Sequence, residues 1–374
     1  MILATLPLMS IVLIFLISVG TSFMINLFLL KKKHFKINIS RIGHVRWATN
    51  PKPTLGGYSF FFIFLLLFVY IIFAQSFPFY LVISLTIAFT FGFLDDNFHT
   101  SPFTKMIGQL LVSICFIAND IAIIVSDYQL FNTVFTIFWV VGMMNSINML
   151  DNMDGIVTSV CIITLGIALM IIAQSGNINL IDVILIVGII GALIGFLFYN
   201  WNPAKIYMGD TGSQFLGAFL AWVSIQYFWS FRDSLEGGFQ VRQFLIPALA
   251  FIVPLIDTTT VTFRRLARRV SPFVGGSDHT THHLAYLGIS DKNVVRIMIG
   301  ISLSSVFVIY QIVEDLKINQ WNFFKTLAVV IYYLTIFSVI QYFYEAAKQK
   351  KNSLNIVEQE EVKNTEGLNK VRTT

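Results

Sequence analysis

Stretches of about twenty apolar residues, broken by short polar insertions, recur along the whole 374-residue chain. A helix of about twenty residues crosses the hydrocarbon layer of a bilayer while satisfying its own backbone hydrogen bonds, so each stretch predicts a transmembrane helix. Eleven such runs can be drawn, at approximately 6–30, 57–74, 78–94, 106–125, 131–149, 156–173, 180–199, 213–230, 244–263, 294–313 and 323–344. Five of the polar insertions, around 50–57, 91–105, 145–155, 200–213 and 257–283, carry clustered amide, carboxylate, imidazole or basic groups. Polar groups at a membrane edge are costly to hold there, which makes such clusters functional sites by default.

Composition agrees with this pattern. The chain is 56% hydrophobic and 12% charged, whereas soluble domains carry about 25% charged residues. A soluble domain is excluded, and the expected fold is an all-α polytopic bundle of about eleven transmembrane helices. The first run lacks a basic leader and a small-residue cleavage site and is followed by Lys31, Lys32 and Lys33, so it reads as a retained anchor with its N-terminus outside. With eleven spans, 21 of the 25 Lys and Arg residues then share one side with the C-terminus. The positive-inside rule makes that side cytoplasmic and puts all five polar segments on it. The net charge of +5 is accordingly matched to anionic lipid headgroups, with no nucleic-acid partner expected. Cys115 and Cys161 fall inside spans and give no disulfide framework. Residues 348–374 are polar and expected to form a disordered cytoplasmic tail, leaving 1–347 as one transmembrane domain.

Each polar segment admits a plain reading beside a chemical one. Asp95 and Asp96 end an apolar run; they form either a solvated turn or a carboxylate pair that needs a cation between its members, and Lys105 could pair with either. Asn145, Asn148, Asp151 and Asp154 recur every three residues, so on a helix their oxygens lie in one stripe suited to a hard divalent cation. Asp210 stands in Met-Gly-Asp-Thr-Gly, where Gly209 and Gly212 allow close approach of backbone to a ligand but also describe an ordinary turn. Tyr207 suits stacking on a base or a place in the interfacial aromatic belt. His279, His282 and His283 follow the basic run Arg264 to Arg269. Zinc is a competitor there, but thiolates are missing and adjacent histidines seldom face one ion, so donation to phosphate fits better. Lys52 lies in Asn50-Pro-Lys-Pro-Thr-Leu-Gly-Gly57, a stiff turn into a helix or a phosphate-facing cation.

Taken in order, these blocks resemble the polyprenyl-phosphate N-acetylhexosamine-1-phosphate transferases. The resemblance runs from Pro53 to about Gly288 through Pro53-Thr-Leu-Gly-Gly57, Leu94-Asp-Asp96 with Lys105 and Gln109, Asn145 to Gly155, Asn202 to Ser213, and His279 to His283. It implies a Mg²⁺ enzyme, with Mn²⁺ an acceptable substitute, in which Asp210 is the main metal ligand and Asn148 reaches the ion or the diphosphate. It further implies that Asp95, Asp96 and Asp151 serve catalysis, with Asp95 and Asp96 at the lipid-phosphate nucleophile. Asp154 and Tyr207 would hold uracil, while Lys52, Lys105, His279, His282 and His283 contact the substrate. Many members have glycine where this chain has Asn152; an asparagine that tolerates left-handed backbone would keep the turn. The block Asp278-His-Thr-Thr-His-His-Leu-Ala-Tyr-Leu-Gly288 is similar to that of the UDP-N-acetylglucosamine users.

The expected reaction is transfer of GlcNAc-1-phosphate from UDP-GlcNAc to undecaprenyl phosphate with release of UMP, on the cytoplasmic face of the inner membrane. Another UDP-N-acetylated sugar, such as UDP-MurNAc-pentapeptide or a 6-deoxy derivative, is the alternative donor, and a homodimer is compatible with this reading. The rival from another class is a lipid-linked sugar transporter or flippase. Transporters place their sites at the bilayer midplane within internal repeats, and this chain has neither feature.

Overall fold

The structure is a computed structural model that describes residues 8–31, 52–72, 78–176, 178–230, 242–271, 276 and 278–372, with side chains to residue 350. The basic stretch 32–51, which carries most of the first connection's charge, lies outside the described residues. Every named element is helical: α1 (Leu8–Lys31), α2 (Gly56–Ile72), α3 (Phe79–Phe98), α4 (Pro102–Ile117), α5 (Gln129–Leu150), α6 (Ile156–Ser175), α7 (Leu180–Asn200), α8 (Gly209–Val223) continuing into a π-helical turn (Ser224–Trp229), α9 (Arg242–Ala250), α10 (Ile252–Ala267), α11 (Thr280–Tyr286), α12 (Asp291–Lys317) and α13 (Phe323–Arg372).

Among the described residues, seven helices are long and apolar enough to cross a bilayer, or eight if α9 and α10 form one bent span. The chain therefore has the architecture of a multi-pass membrane protein. The expected eleven crossings are not established by these lengths. Helices α2 and α4 have 17 and 16 residues, short of the roughly twenty a full span needs.

The bundle is built around α8. All but Asp210 of its fifteen residues are buried, including Phe215, Phe219 and Trp222, and it packs on α2, α3, α4, α5 and α6. Small residues bring the neighbours close. A Cβ on Gly57 would lie 2.3 Å from the Gly212 nitrogen, and one on Gly92 would lie 2.4 Å from the Asp210 carbonyl oxygen. Helices α2 and α3 thus reach the first turn of α8 with backbone against backbone.

The chain bends by 86° between α9 and α10. Pro254 has no N–H for the Ala250 carbonyl, which breaks the helical ladder at that point. The freed carbonyl instead accepts from the Thr164 hydroxyl on α6 at 3.0 Å. The Pro254 carbonyl accepts from Ser146 on α5 at 2.9 Å, and Thr258 donates to the same serine at 2.8 Å. Such substitute partners are what permits a break at membrane depth, and here they tie α10 to the helix that carries Asn145 and Asn148.

Candidate active site

The first turn of α8 has no side-chain cap of its own, since Met208 precedes it. Asp96, from the end of α3, supplies the missing acceptors. Its Oδ1 accepts the Asp210 N–H at 3.0 Å, while its Oδ2 accepts the Thr211 N–H at 2.8 Å and the Thr211 hydroxyl at 2.6 Å. A carboxylate here also meets the positive end of the helix dipole. Gly209 is left-handed at φ +71°, and a Cβ there would stand 2.6 Å from Asp96 Oδ2, so glycine is required on both counts.

With the turn fixed, Asp210 points into a cluster drawn from three other elements. Its Oδ1 accepts from Asn148 Nδ2 at 2.9 Å, and its Oδ2 accepts from Lys105 Nζ. The same ammonium lies 2.7 Å from Asp95 Oδ2, and Thr100 holds the other Asp95 oxygen at 2.7 Å. Local structure explains this meeting. His99 ends α3 in left-handed backbone, and Ser101 caps α4 by accepting from Thr104 N at 3.2 Å with Pro102 at the first position. That tight corner returns Lys105, in the first turn of α4, to Asp95 in the last turn of α3. Behind them, Asn148 also donates to Ser213 at 2.8 Å, and the Gln109 and Asn145 amides bond reciprocally at 3.1 and 2.9 Å.

Two carboxylates, Asp95 and Asp210, thus share one ammonium, while Asp96 is turned to the α8 backbone. Among the described residues no group of three or more His, Cys, Asp or Glu side chains could by itself hold an ion. The donors that do converge are hard oxygens: two carboxylates already meeting on a cation, beside an amide. This fits Mg²⁺, which takes one or two protein carboxylates and completes its shell from phosphate and water.

A second cluster adjoins the first through the 202–211 stretch. Asp154 Oδ2 accepts from Asn202 Nδ2 at 3.2 Å and from the Ala204 N–H at 2.8 Å, and Lys52 lies 3.6 Å away. Tyr207 pairs through its backbone with the segment before α2, donating to the Pro53 carbonyl at 2.9 Å. This seats Lys52 Nζ 5.2 Å from the Tyr207 ring centroid. Lys52, Asp154 and Tyr207, expected from three separate segments, are therefore together. Asp151 is half-buried at the C-cap of α5, three residues past Asn148.

Helix α11 adjoins the turn after α5, through Thr281 and Asn152. Asp257 on α10 accepts the Thr280 N–H at 2.8 Å and bonds to His279 Nδ1 at 2.8 Å. Burial opposes charge on the His279 ring, but the facing Asp257 carboxylate outweighs it and raises the histidine above its ordinary value. His282 is pushed down to about 4 by burial and by His279, and His283 to about 4 by burial and by Arg264. Both are neutral near pH 7. His279 and His282 are buried, and His283 is half-buried.

Asn152 does not adopt the left-handed backbone expected of it, and the left-handed residue of this turn is Gly155 at φ +79°. The Asn152 side chain instead accepts from the Thr281 hydroxyl at 2.7 Å, a link from the α5–α6 turn to α11 that glycine could not make.

Thr211 and Thr281, whose hydroxyls look neutral in a sequence, and Tyr344 and Gln341 on α13, which lie inside an apolar run, carry no mark of these contacts in the sequence.

The glycosyl transferase family 4 profile matches residues 78–228. The chain is 29% identical over 216 residues to a probable undecaprenyl-phosphate N-acetylglucosaminyl 1-phosphate transferase of Bacillus subtilis, covering 55% of this chain and 58% of that protein. It is 34% identical over 200 residues to a phospho-N-acetylmuramoyl-pentapeptide-transferase of Streptococcus thermophilus, covering 46% and 58% of the two chains. For the phospho-N-acetylmuramoyl-pentapeptide-transferase of Lactobacillus gasseri the identity is 30% over 243 residues, 58% of this chain and 70% of that one. The chain thus spans under two thirds of the length of the first two of these relatives, 58% in each case.

Proposed function

The chain belongs to glycosyl transferase family 4, and on that premise we propose that it transfers GlcNAc-1-phosphate from UDP-GlcNAc to undecaprenyl phosphate. An oxygen of the lipid phosphate bonds to the sugar-linked phosphorus. The bond from that phosphorus to the oxygen of the departing UMP breaks, and undecaprenyl-diphosphate-GlcNAc is left in the membrane. The observation that carries this reading is the Lys105 ammonium held between Asp95 and Asp210, beside Asn148.

Phosphoryl transfer asks little covalent chemistry of a protein and depends on positioning and charge neutralisation. In this reading Asp210, Asn148 and Asp95 would hold Mg²⁺, or Mn²⁺, which shares its preference for oxygen. When bound, the ion would neutralise charge on the diphosphate oxygens. Lys105 adds a positive charge at the same place and keeps Asp95 and Asp210 from repelling one another. Asp95 faces the incoming lipid phosphate. That group is already partly dianionic at neutral pH, with a second pKa near 6, so Asp95 is assigned to orientation at least as much as to proton removal. Asp96 holds the α8 turn. Lys52, Asp154 and Tyr207 take the uridine end, and α11 with Arg264 borders the diphosphate.

The same reading assigns eleven crossings, an outside N-terminus and a cytoplasmic C-terminus. Lys52, Lys105 and the basic end of α10 then lie on the cytoplasmic side of the inner membrane, where a nucleotide sugar arrives and where the lipid phosphate sits at headgroup level.

The donor is the finer point. Relatives named for N-acetylglucosamine and for N-acetylmuramoyl-pentapeptide transfer are both similar to this chain, and the Asp278 to Gly288 pattern favours UDP-GlcNAc. Mass analysis of the lipid product formed from equimolar UDP-GlcNAc, UDP-GalNAc and UDP-MurNAc-pentapeptide tests the assignment. A GlcNAc product is expected; a predominant muramoyl-pentapeptide product would replace that donor.

A further inference from the structure

We propose that Tyr344 on α13 is a positioning residue that holds the Arg264–His283 wall in register for the donor's diphosphate, an inference that rests on the reading above. Helix α13 lies outside the stretch matched by the family profile, and its exposed faces read as lipid-facing. Its far end is different. Ile340, Tyr344 and Ala347, at helical spacing, are buried while Tyr342 and Phe343 are exposed, so one face packs on protein. That face meets α10 and α11.

Three basic groups converge on the one tyrosine. The Arg264 guanidinium lies over its ring, and Arg268 donates from Nη2 to its hydroxyl at 2.6 Å. The His283 ring meets it edge-on, with centroids 4.3 Å apart at 83°. One turn earlier, Gln341 accepts from Arg264 Nη2 and donates to Thr260 Oγ1 at 2.8 Å.

Arg264 and Arg268 are four residues apart on one helix face, so they repel. An aromatic face and a hydroxyl acceptor compensate both charges without cancelling them, which a carboxylate would do. The consequence is a positive wall of fixed geometry. Thr281 on α11 ties that wall to Asn152, and so to the turn that carries Asp151 and Asp154. A side chain that touches no reacting atom in this way sets where the donor's charge is met.

The test uses the full chain in lipid nanodiscs with Tyr344→Ala, Tyr344→Leu and Tyr344→Phe. Leucine keeps most of the buried volume but loses both the π face and the hydroxyl, whereas phenylalanine loses only the hydroxyl. The Ala and Leu variants should raise the KM for UDP-GlcNAc by about tenfold or more, with the kcat at saturating donor within about threefold of wild type. Phenylalanine should recover most of the loss.

Amide hydrogen exchange of 280–286 is read on the same samples without substrate. It should speed up by about tenfold in the Ala and Leu variants, because the local opening of α11 becomes easier. Leucine behaving as wild type in both readouts overturns the proposal, since bulk alone would then suffice. An unchanged KM with faster exchange overturns the link to the donor. A variant that does not fold is replaced in the comparison by Gln341→Leu, from which the same KM rise is expected. If the wild type turns over no nucleotide sugar, the function reading fails, and the exchange data still decide whether Tyr344 orders α11.

Discussion

Asp96 and Thr211 are 115 positions apart, yet one Asp96 oxygen accepts both the backbone N–H and the hydroxyl of Thr211, at 2.8 and 2.6 Å. The carboxylate is thereby committed to the shape of the α8 turn. Its neighbour Asp95 faces Lys105 and the site instead. Two adjacent aspartates therefore have separable tasks. Asp95→Asn should abolish most turnover with little change in thermal stability. Asp96→Asn replaces one acceptor with a donor against these N–H groups and should also destabilise the fold, by about 1–3 kcal/mol for the mismatched buried bonds. Thermal unfolding of both variants in detergent checks the contrast, and equal melting temperatures would contradict it.

Lys105 sits where the carboxylates of Asp95 and Asp210 meet. In Lys105→Met that charge is gone, so turnover should fall by about 100-fold or more. Mg²⁺ should meanwhile bind more tightly, because no ammonium competes for the carboxylates. A thermal-shift titration reads the second effect. Half-saturation at a higher Mg²⁺ concentration than in wild type is the result that would count against the arrangement.

Gly92 has no room for a side chain against the Asp210 carbonyl, 2.4 Å from where a Cβ would be. Gly92→Ala must push α3 away from the α8 turn, at about 1–3 kcal/mol for overpacking. Turnover should drop by about tenfold or more while Lys105, Asn148 and Asp210 are all still present. Steady-state kinetics on folded protein decides it, and wild-type rates would show that the helix spacing does not set the geometry around Asp210.

The histidines give opposite pH signatures. The raised pKa of His279 contributes stability that is complete below the unfolded value near 6.5 and is lost as pH rises through the folded value. His279→Gln should therefore cost more melting temperature at pH 6 than at pH 9. His283, held down to about 4, destabilises the fold as pH falls from about 6.5 towards 4, because only the unfolded chain takes up the proton. His283→Gln should make that acid limb shallower without removing it, because His282, also held down to about 4, keeps its own share. Melting curves across pH 4 to 9 separate the two, and parallel curves for all three proteins would refute the assignment.

Much of the site can be read from the sequence because its residues are expensive where they stand. Asp95, Asn148, Asp210 and Lys105 interrupt apolar runs, and the cost of placing a polar group there is what marks them. Tasks are harder to read than locations. Asp95 and Asp96 look alike until their partners, more distant in the chain, are in place. Asp154 is marked as a ligand-facing group, yet one of its oxygens pins the loop at Asn202 and Ala204. Tyr344 carries no such mark, since a tyrosine near the end of an apolar run is what an interfacial belt would also place there. Crossing number is similarly elusive. Apolar runs near 57–74 and 106–125 look long enough to span, but their helices stop at 17 and 16 residues. The run near 244–263 is bent by 86° between Ala250 and Ile252, just ahead of Pro254.

In the proposed function Asp210 anchors a divalent ion for transfer of a sugar phosphate to a lipid phosphate. The most direct measurement supplies purified protein with UDP-GlcNAc, undecaprenyl phosphate and Mg²⁺, and follows UMP release and organic-soluble sugar together. Equal amounts of the two products are expected, lost with EDTA and in Asp210→Asn. Absence of product with every UDP-N-acetylhexosamine, or product that survives both treatments, would contradict the account.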